Sequence, residues 1–230
     1  MKAGAIVQSR EPVTLVGGAD LTAEDLALSL RLAPILVAAD GGADAVLAAG
    51  ADPVAVIGDM DSLSEEAARA FAGRLHPVPE QETTDFDKAL TRIDAPAVVA
   101  LGFAGGRLDH ELAALHSLVA RPDRPCVLLG PTTLAFHAPP ELALPLDPGT
   151  LVSLFPFAPV GIASEGLLWP TDGLAFAPQT RIGTSNEARG EVRLRPSGPG
   201  MLVILPRGVL ARAVAALIAA PRWPSPSPGG

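Results

Sequence analysis

The sequence predicts an α/β fold made of two domains, and three observations support this prediction. Up to residue 130, short apolar runs alternate with helical patterns, which is typical of a three-layer domain with a mainly parallel sheet. Beyond residue 130 the helical pattern is lost. Short apolar runs separated by Pro and Gly there predict an antiparallel β-sandwich or barrel, of which we expect the sandwich. A chain of 230 residues has room for two such cores.

The predicted domains are residues 1–130, residues 131–206, and a last segment, 207–230, with a terminal helix and a disordered Pro-, Ser- and Gly-rich tail. In the first domain, Thr22 and Ser64 are predicted to cap helices. Right-handed crossovers should bring the ends of successive strands to one edge of the sheet. The predicted strands there are residues 14–16, 35–39, 54–57, 76–79 and 98–101.

The composition excludes several classes of protein. A net charge of −8 argues against general nucleic-acid binding, which needs a basic surface. No apolar run approaches the roughly 18 residues of a membrane span, and the first residues do not resemble a secretory signal. Cys126 is the only cysteine, so no disulfide within the chain is expected. We therefore expect a cytoplasmic protein.

The segment VAVIGDMDSL, residues 54–63, carries the clearest indication of chemistry. A buried apolar run ends at Gly58, and Asp59 and Asp61 follow it. Carboxylates at the end of a parallel strand lie where open α/β sheets bind ligands. Mg²⁺ commonly takes one or two carboxylates together with water and substrate phosphates. The alternative is an ordinary turn, since Gly, Asp and Ser are common turn residues.

Two further segments place charges near helix starts. On a helix that begins near Thr84, Asp85 and Lys88 lie three residues apart on one face, a spacing that a surface ion pair would also explain. Gly105 and Gly106 precede a helix and could offer backbone N–H groups to a phosphate. Arg107 lies unfavourably at the positive end of that helix unless an anion binds there. His110 and His116 are interpreted as packing or surface residues.

The second half predicts mostly strands and turns. Trp169 is interpreted as a core residue, and residues 184–186 as a turn. The predicted strands are residues 133–136, 151–156, 160–164, 167–169, 174–176, 191–195 and 201–205.

In order along the chain, these segments resemble the thiamine pyrophosphokinase (thiamine diphosphokinase) family. The resemblance rests on ADGGA at 39–43, GDMDS at 58–62, TTDFDKAL at 83–90, GGRLDH at 105–110, SLFPF at 153–157, GLLW at 166–169 and GTSNEARG at 183–190. It implies an α/β nucleotide-binding domain, a β-sandwich domain that binds thiamine, and a homodimer whose active sites lie between subunits. The implied reaction moves the β,γ-pyrophosphoryl group of ATP to the thiamine hydroxyl and releases AMP.

The resemblance also implies roles for individual residues. Those that would bind Mg²⁺ are Asp59, Asp61 and Asp85; Arg107 would join them in catalysis. ATP would be bound by Asp40, Gly41, Lys88, Gly105, Gly106 and Arg107. Thiamine would be held by Asp109, Trp169, Ser185 and Asn186. The segment beyond Pro206 is not explained by the family pattern.

Three other classes of protein share part of this pattern. A pterin pyrophosphokinase would share the metal site but would not need Trp169, Ser185 or Asn186. A phosphatase of the haloacid-dehalogenase type also has an Asp-X-Asp pair, but usually after the first strand rather than the third. A non-catalytic nucleotide or thiamine sensor would not need the complete acidic set.

Overall fold

The computed structural model describes residues 4–226, which divide into two compact units. The first unit extends to Ser117 and includes Leu128–Gly130. The second comprises Leu118–Val127 and the residues from Pro131 onward. The predicted α/β class is confirmed, with parallel strands in the first unit and antiparallel strands in the second. Among the described residues, no helix combines the length and apolar character that a bilayer crossing needs.

The first unit has a parallel sheet with the strand order β7-β2-β3-β4-β5, and β1 and β6 form a separate parallel pair. Its strands are β1 Val7–Gln8, β2 Val13–Val16, β3 Ile35–Ala39, β4 Ala55–Gly58, β5 Leu75–Pro77, β6 Ile93–Asp94 and β7 Val98–Leu101. Its helices are α1 Ala23–Leu32, α2 Gly42–Ala48, α3 Glu65–Ala70 and α4 Asp85–Thr91, followed by α5 Leu108–Ala120, whose last three residues belong to the second unit.

Local sequence explains where these helices begin. The hydroxyl of Thr22 accepts a hydrogen bond from Asp25 N (3.1 Å), and that of Ser64 accepts one from Ala67 N (3.1 Å), so both predicted caps are confirmed. Thr84 caps α4 in the same way. Each hydroxyl satisfies one of the backbone N–H groups that the first turn of a helix leaves unpaired.

The strand order creates a crevice at one edge of the sheet. From β2 the chain proceeds through β3, β4 and β5 in one direction, whereas β7 lies on the other side of β2. Open α/β sheets bind ligands where the strand order reverses in this way, outside the carboxyl ends of the strands. The loops that follow β2, β3, β4 and β7 therefore surround the expected binding position.

In the second unit, one long strand connects most of the antiparallel pairs. Gly183–Pro196 pairs with Leu151–Pro156 near its start, and with Leu142–Leu144 and Val160–Leu167 further along. The first two residues of β8 Cys126–Leu129 belong to this unit and the last two to the first unit. The other elements are β9 Thr133–His137, β10 Leu142–Leu144, β11 Leu151–Pro156, β12 Val160–Leu167, β13 Ala175–Phe176, β14 Gly183–Pro196, β15 Met201–Pro206 and α6 Leu210–Ala219. The packing of these strands as a sandwich stays a prediction.

Two details of the second unit differ from the sequence analysis. Residues 184–186, predicted as a turn, are part of β14. The strand predicted at residues 160–164 continues to Leu167 as β12, whereas the separate strand predicted at residues 167–169 is wrong beyond Leu167. The strand continues because Gly166 adopts a φ of +78° at a shift in register, where an added Cβ would come within 2.0 Å of the Glu191 carbonyl oxygen. A glycine bulge thus extends the strand instead of ending it.

The segment after β15 forms the predicted terminal helix, α6. Its apolar face buries Leu210, Val214 and Leu217. Residues 221–226 have no regular secondary structure, but Trp223 Nε1 donates to the Ala138 carbonyl (2.8 Å) and Ser225 Oγ donates to Asp123 Oδ2 (2.9 Å). The disorder predicted for residues 227–230 falls outside the described residues.

Candidate active site

A cavity of about 710 Å³ lies at the carboxyl ends of β2, β3, β4 and β7, within the first unit. The predicted site residues that line it are Asp40, Gly41, Asp59, Asp61, Asp85, Lys88, Gly106 and Arg107. Gly105 and Asp109, also predicted, are not among the lining residues. Sequence motifs that are up to 67 residues apart along the chain (Asp40 to Arg107) are therefore brought to one cavity.

Three carboxylates form the closest acidic group in the part of the chain that the structure describes. Oxygens of Asp40, Asp59 and Asp61 lie within 4.8 Å of one another. Asp40 is only 1% exposed, and its Oδ2 accepts a hydrogen bond from Ser62 N (3.1 Å). Its Oδ1 is buried and has no hydrogen-bond partner. A buried carboxylate oxygen without a donor is costly unless a ligand completes it. The donor set fits Mg²⁺, which prefers hard oxygen ligands.

The predicted metal ligands are Asp59, Asp61 and Asp85, and the structure adds Asp40 to the first two; metal binding by Asp85 stays a prediction. The register of β3 and β4 pairs Ala39 with Ile57, so the residues that follow these two strands meet at the sheet edge. Asp85 instead lies 3.3 Å from Lys88 Nζ through its Oδ1. Burial raises the pKa of the Asp85 carboxyl, while the hydrogen bond from Lys88 opposes that rise.

Lys88 is a buried cation between two of the acidic residues. Its side chain is 2% exposed, and Nζ lies 2.6 Å from Asp59 Oδ2. Burial alone would lower the pKa of Lys88, but its hydrogen bonds with Asp59 and Asp85 outweigh that effect and raise the pKa. The hydrogen bond from Lys88 lowers the pKa of Asp59. The ammonium group of Lys88 is thus hydrogen-bonded to two carboxylates at the cavity.

The two loops that carry Asp40 and the Asp59–Asp61 pair have unusual backbone conformations. Asp40 has a φ of 41° and Met60 a φ of 69°, both in the left-handed region that favours glycine. Such conformations cost roughly 1–3 kcal/mol each and persist where the surrounding structure enforces them, often at functional sites. Gly58 fits beside this turn only because it lacks a side chain, since an added Cβ would lie 2.6 Å from the Cβ of Asp40.

The loop before α5 has its own internal ion pair. Arg107 Nη2 donates to Asp109 Oδ2 (2.6 Å), and this hydrogen bond lowers the pKa of Asp109 to about 2. The Asp109 carboxylate is thus the anion that neutralises Arg107 at the start of α5. Gly105 N donates to Glu111 Oε2 (3.0 Å), so that its N–H group is already engaged. Gly106 and Arg107 line the cavity, together with Gly102 and Phe103 of the same loop.

Of the four predicted thiamine residues, Asp109 lies in the first unit, and Trp169, Ser185 and Asn186 lie in the second. Trp169 is 56% exposed, so its interpretation as a core residue is wrong. Asn186 is buried, and its amide binds both backbone groups of Trp169: Oδ1 accepts from Trp169 N (3.1 Å) and Nδ2 donates to Trp169 O (2.7 Å). Ser185 has a φ of 61°, and its N–H donates to Ser153 Oγ (3.0 Å). Asn186 therefore fixes the backbone of an exposed tryptophan.

Gln81 and His110 are two of the lining residues to which sequence reasoning gave no role. Gln81 Nε2 donates to Asp59 Oδ2 (3.0 Å), the same oxygen that Lys88 binds. Its position just before the TTDFDKAL motif is the signal that could have indicated it. His110, which received no role, also lines the cavity. Nothing in the sequence around His110 distinguishes it from a surface histidine.

The fold and the site together define a class: an α/β protein with an acidic crevice at the point where the strand order of a parallel sheet reverses. Residues 26–128 match the family model described as the catalytic domain of thiamin pyrophosphokinase, and residues 139–195 match the model described as its vitamin B1 binding domain. These matches span more than half of the chain. The chain therefore belongs to the thiamin pyrophosphokinase family, as its motifs predicted.

Individual relatives agree with this assignment. Thiamin pyrophosphokinase 1 of Caenorhabditis elegans is 28% identical over 152 residues, which are 59% of this chain and 62% of the relative. Thiamine pyrophosphokinase 2 of Oryza sativa subsp. japonica is 30% identical over 159 residues, 60% of each chain. The chain thus spans a little under two thirds of the length of these two relatives.

A solved structure, thiamin pyrophosphokinase from Candida albicans, is similar in fold. It superimposes with a TM-score of 0.69 over 87% of this chain and 92% of that chain, at 15% sequence identity. At this identity the likeness concerns the fold alone.

Proposed function

We propose that the protein transfers the pyrophosphoryl group of ATP to the hydroxyl group of thiamine, giving thiamine diphosphate and AMP. Membership of the family supports this reaction, as does a cavity that combines clustered carboxylates with cationic side chains. Phosphoryl-type transfer depends on positioning and charge neutralisation more than on a nucleophilic side chain. We further propose that the first unit binds the nucleotide and that the second, with its strands packed as a sandwich, binds thiamine.

The single observation that carries the proposal is the convergence of Asp40, Asp59 and Asp61, with the buried Oδ1 of Asp40 lacking a partner. These residues would hold Mg²⁺, and Asp85 lies on the same cavity wall. When bound, the ion would neutralise charge on the phosphate oxygens. The protein's own contribution is to fix the carboxylates, chiefly through the hydrogen bonds of Ser62 to Asp40 and of Lys88 to Asp59.

The cationic side chains have distinct tasks in this proposal. Arg107 lines the cavity with its side chain 73% exposed, so it is free to turn from Asp109 toward phosphate oxygens. Lys88 is buried, and its first proposed role is to hold the carboxylate of Asp59 in place. Its second proposed role is a contact to phosphate. Gly41 and Gly106 allow close approach of the ligand to the backbone of their loops.

Three of the proposed thiamine residues, Trp169, Ser185 and Asn186, come from the second unit, and Asp109 comes from the first. The flat face of Trp169 suits a cationic heterocycle, through stacking and cation–π attraction worth roughly 0.5–2 kcal/mol. Both polar atoms of the Asn186 amide are hydrogen-bonded to the backbone of Trp169. The proposed role of Asn186 is therefore to position Trp169 rather than to bind thiamine directly. Ser185 has an exposed side chain that could bind the ring. Asp109 would gain access to thiamine only when Arg107 moves to phosphate.

The decisive experiment incubates purified protein with ATP, Mg²⁺ and thiamine and measures AMP together with thiamine diphosphate. Equal amounts of both products support the proposal. The same incubation with 6-hydroxymethyl-dihydropterin in place of thiamine tests a pterin pyrophosphokinase. Binding of ATP or thiamine without either product would contradict the proposed reaction and indicate a sensor.

A further inference from the structure

The loop between β4 and α3, residues 59–64, is hydrogen-bonded to two carboxylates, Asp40 and Asp44, that follow β3. Asp40 Oδ2 accepts a hydrogen bond from Ser62 N (3.1 Å). One helical turn later, Asp44 Oδ2 accepts from Ser64 N (3.2 Å), and its Oδ1 accepts from the Ser64 hydroxyl. Residues four apart at a helix start lie on the same face, so both carboxylates meet the same loop. Asp44, unlike Asp40, does not line the cavity.

Ser64 is the residue where this loop joins α3. Its hydroxyl donates to Asp44 and accepts from Ala67 N (3.1 Å), so the same oxygen serves both the loop and the helix. Asp44 thereby fixes the direction of the hydroxyl that caps α3. Its negative charge also lies near the N-terminus of α3, where the helix dipole favours it.

The loop needs such restraint because of its backbone. Met60, with a φ of 69°, stands between Asp59 and Asp61 and sets the direction in which their side chains project. A non-glycine residue keeps this conformation only where the surroundings enforce it. Within the loop, the one hydrogen bond that closes the Met60 turn is long, from Asp61 N to Asp59 Oδ1 (3.4 Å). The hydrogen bonds of Ser62 to Asp40 and of Ser64 to Asp44 therefore restrain the Met60 turn from its C-terminal side.

We propose that Asp44 is a positioning residue for the acidic site, acting through Ser64 on the loop that carries Asp59 and Asp61. The inference rests on the proposed function, because it gives Asp44 the task of keeping these two carboxylates in the arrangement that binds a divalent cation. Groups that orient metal ligands without touching the metal commonly change metal affinity by about 10- to 100-fold when they are removed.

The test compares Asp44→Ala, Ser64→Ala and the double variant with wild type. The matched control is Thr22→Ala, which removes the same kind of cap from α1 at a residue that does not line the cavity. Hydrogen exchange of residues 59–64 is measured without metal, and Mn²⁺ binding is measured by electron paramagnetic resonance, both well below the melting temperature. Asp44→Asn, which keeps the volume and one accepting oxygen, is included in case the alanine variant fails to fold.

For Asp44→Ala we expect faster exchange in residues 59–64 and about tenfold weaker Mn²⁺ binding, the lower end of the usual range. Asp44→Asn should give a smaller loss in the same direction. The double variant should lower the melting temperature further, since α3 loses its cap, but should bind Mn²⁺ no more weakly than Asp44→Ala. Thr22→Ala should change neither the exchange of this loop nor Mn²⁺ affinity.

Unchanged exchange in residues 59–64 would overturn the inference, and so would Mn²⁺ affinity within twofold of wild type. Failure of the proposed function gives a different result. Wild type would then bind no Mn²⁺, while the loss of protection in Asp44→Ala would still support Asp44 as the restraint on this loop.

Discussion

Asp61 is the most exposed of the three clustered carboxylates, and it tests the metal site most directly. Replacing it by Asn keeps an oxygen that can accept from Ser62 Oγ, which now donates to Asp61 Oδ1 (2.9 Å). We expect Asp61→Asn to slow the reaction by on the order of 10²-fold or more, because a catalytic metal supplies several kcal/mol. Steady-state measurement of AMP formation checks this.

The same variant should keep or gain stability in the absence of metal, because the repulsion among the carboxylates is relieved. Asp52→Asn is a suitable control, since Asp52 forms a surface pair with Arg74 and is 73% exposed. It should leave the rate unchanged. Near-normal activity of Asp61→Asn would remove this residue from the site.

His137, in the second unit, is the basis of a prediction about how stability depends on pH. It is 8% exposed, Nε2 accepts from Gly200 N (2.8 Å) and Nδ1 has no partner. Burial lowers the pKa of His137 to about 4. Below pH 6.5 the unfolded chain takes up a proton that the folded chain takes up only near pH 4. The free energy of unfolding should therefore fall as the pH drops from 6.5 to 4, by about 3 kcal/mol.

Urea denaturation at pH 7 and pH 5 measures this fall. His137→Gln should lose most of it, because Gln offers an accepting oxygen but does not titrate. His116→Gln, a change at an exposed histidine, should retain it. An equal pH dependence in wild type and His137→Gln would assign the effect to other groups.

At the scale of elements, the site depends on how closely the turn after β3 approaches the end of β4. In Gly58→Ala the new Cβ would lie 2.6 Å from the Cβ and 3.0 Å from the Cα of Asp40. We expect a loss of roughly 1–3 kcal/mol in stability, as for other overpacked positions, and weaker binding of Mn²⁺ because Asp40 must move. Gly73→Ala, where nothing lies within 4 Å, is the control.

Thermal melts and Mn²⁺ titration of the two glycine variants give the comparison. If Gly58→Ala bound Mn²⁺ as wild type does while losing stability, Asp40 would have no part in holding the cation.

The same scale shows what the sequence could predict. Buried apolar runs bounded by turn residues predicted β3 and β7 with their observed bounds, because a short run of this kind is compatible with few structures other than a buried strand. The caps at Thr22 and Ser64 are equally local. The grouping of Asp40 with Asp59 depends instead on the register of β3 against β4, which local patterns do not encode. The polar residues 184–187 favour a turn locally, but β14 is held as a strand by its neighbours.

For the whole molecule we propose a homodimer with shared active sites, as the family resemblance implies. In this arrangement Trp169 of one subunit completes the site that contains Asp61 of the other. A two-fold dimer with self-complementary surfaces would form two such sites. Asp61→Asn should be nearly inactive alone, and Trp169→Ala should be slowed by up to about 30-fold. Mixed under conditions that exchange subunits, they should regain activity, because each mixed dimer contains one site with both residues intact.

Sedimentation and a tagged partner establish whether subunits have exchanged, and AMP formation reports activity. A mixture of two Asp61→Asn preparations, one of them tagged, is the control and should stay inactive. No recovery despite proven exchange would place Trp169 in the site of its own subunit, or away from any site.

The exposure of Trp169 also gives this protein a natural optical reporter. The chain contains no tyrosine and only two tryptophans, so its near-ultraviolet emission comes from Trp169 and Trp223. Trp223 is held by its bond to the Ala138 carbonyl, whereas the indole of Trp169 faces solvent. A ligand that stacks on Trp169 would quench one of two emitters, and in a chain with Phe at position 223 it would quench the only one. Binding could then be followed by light, without a label and without turnover.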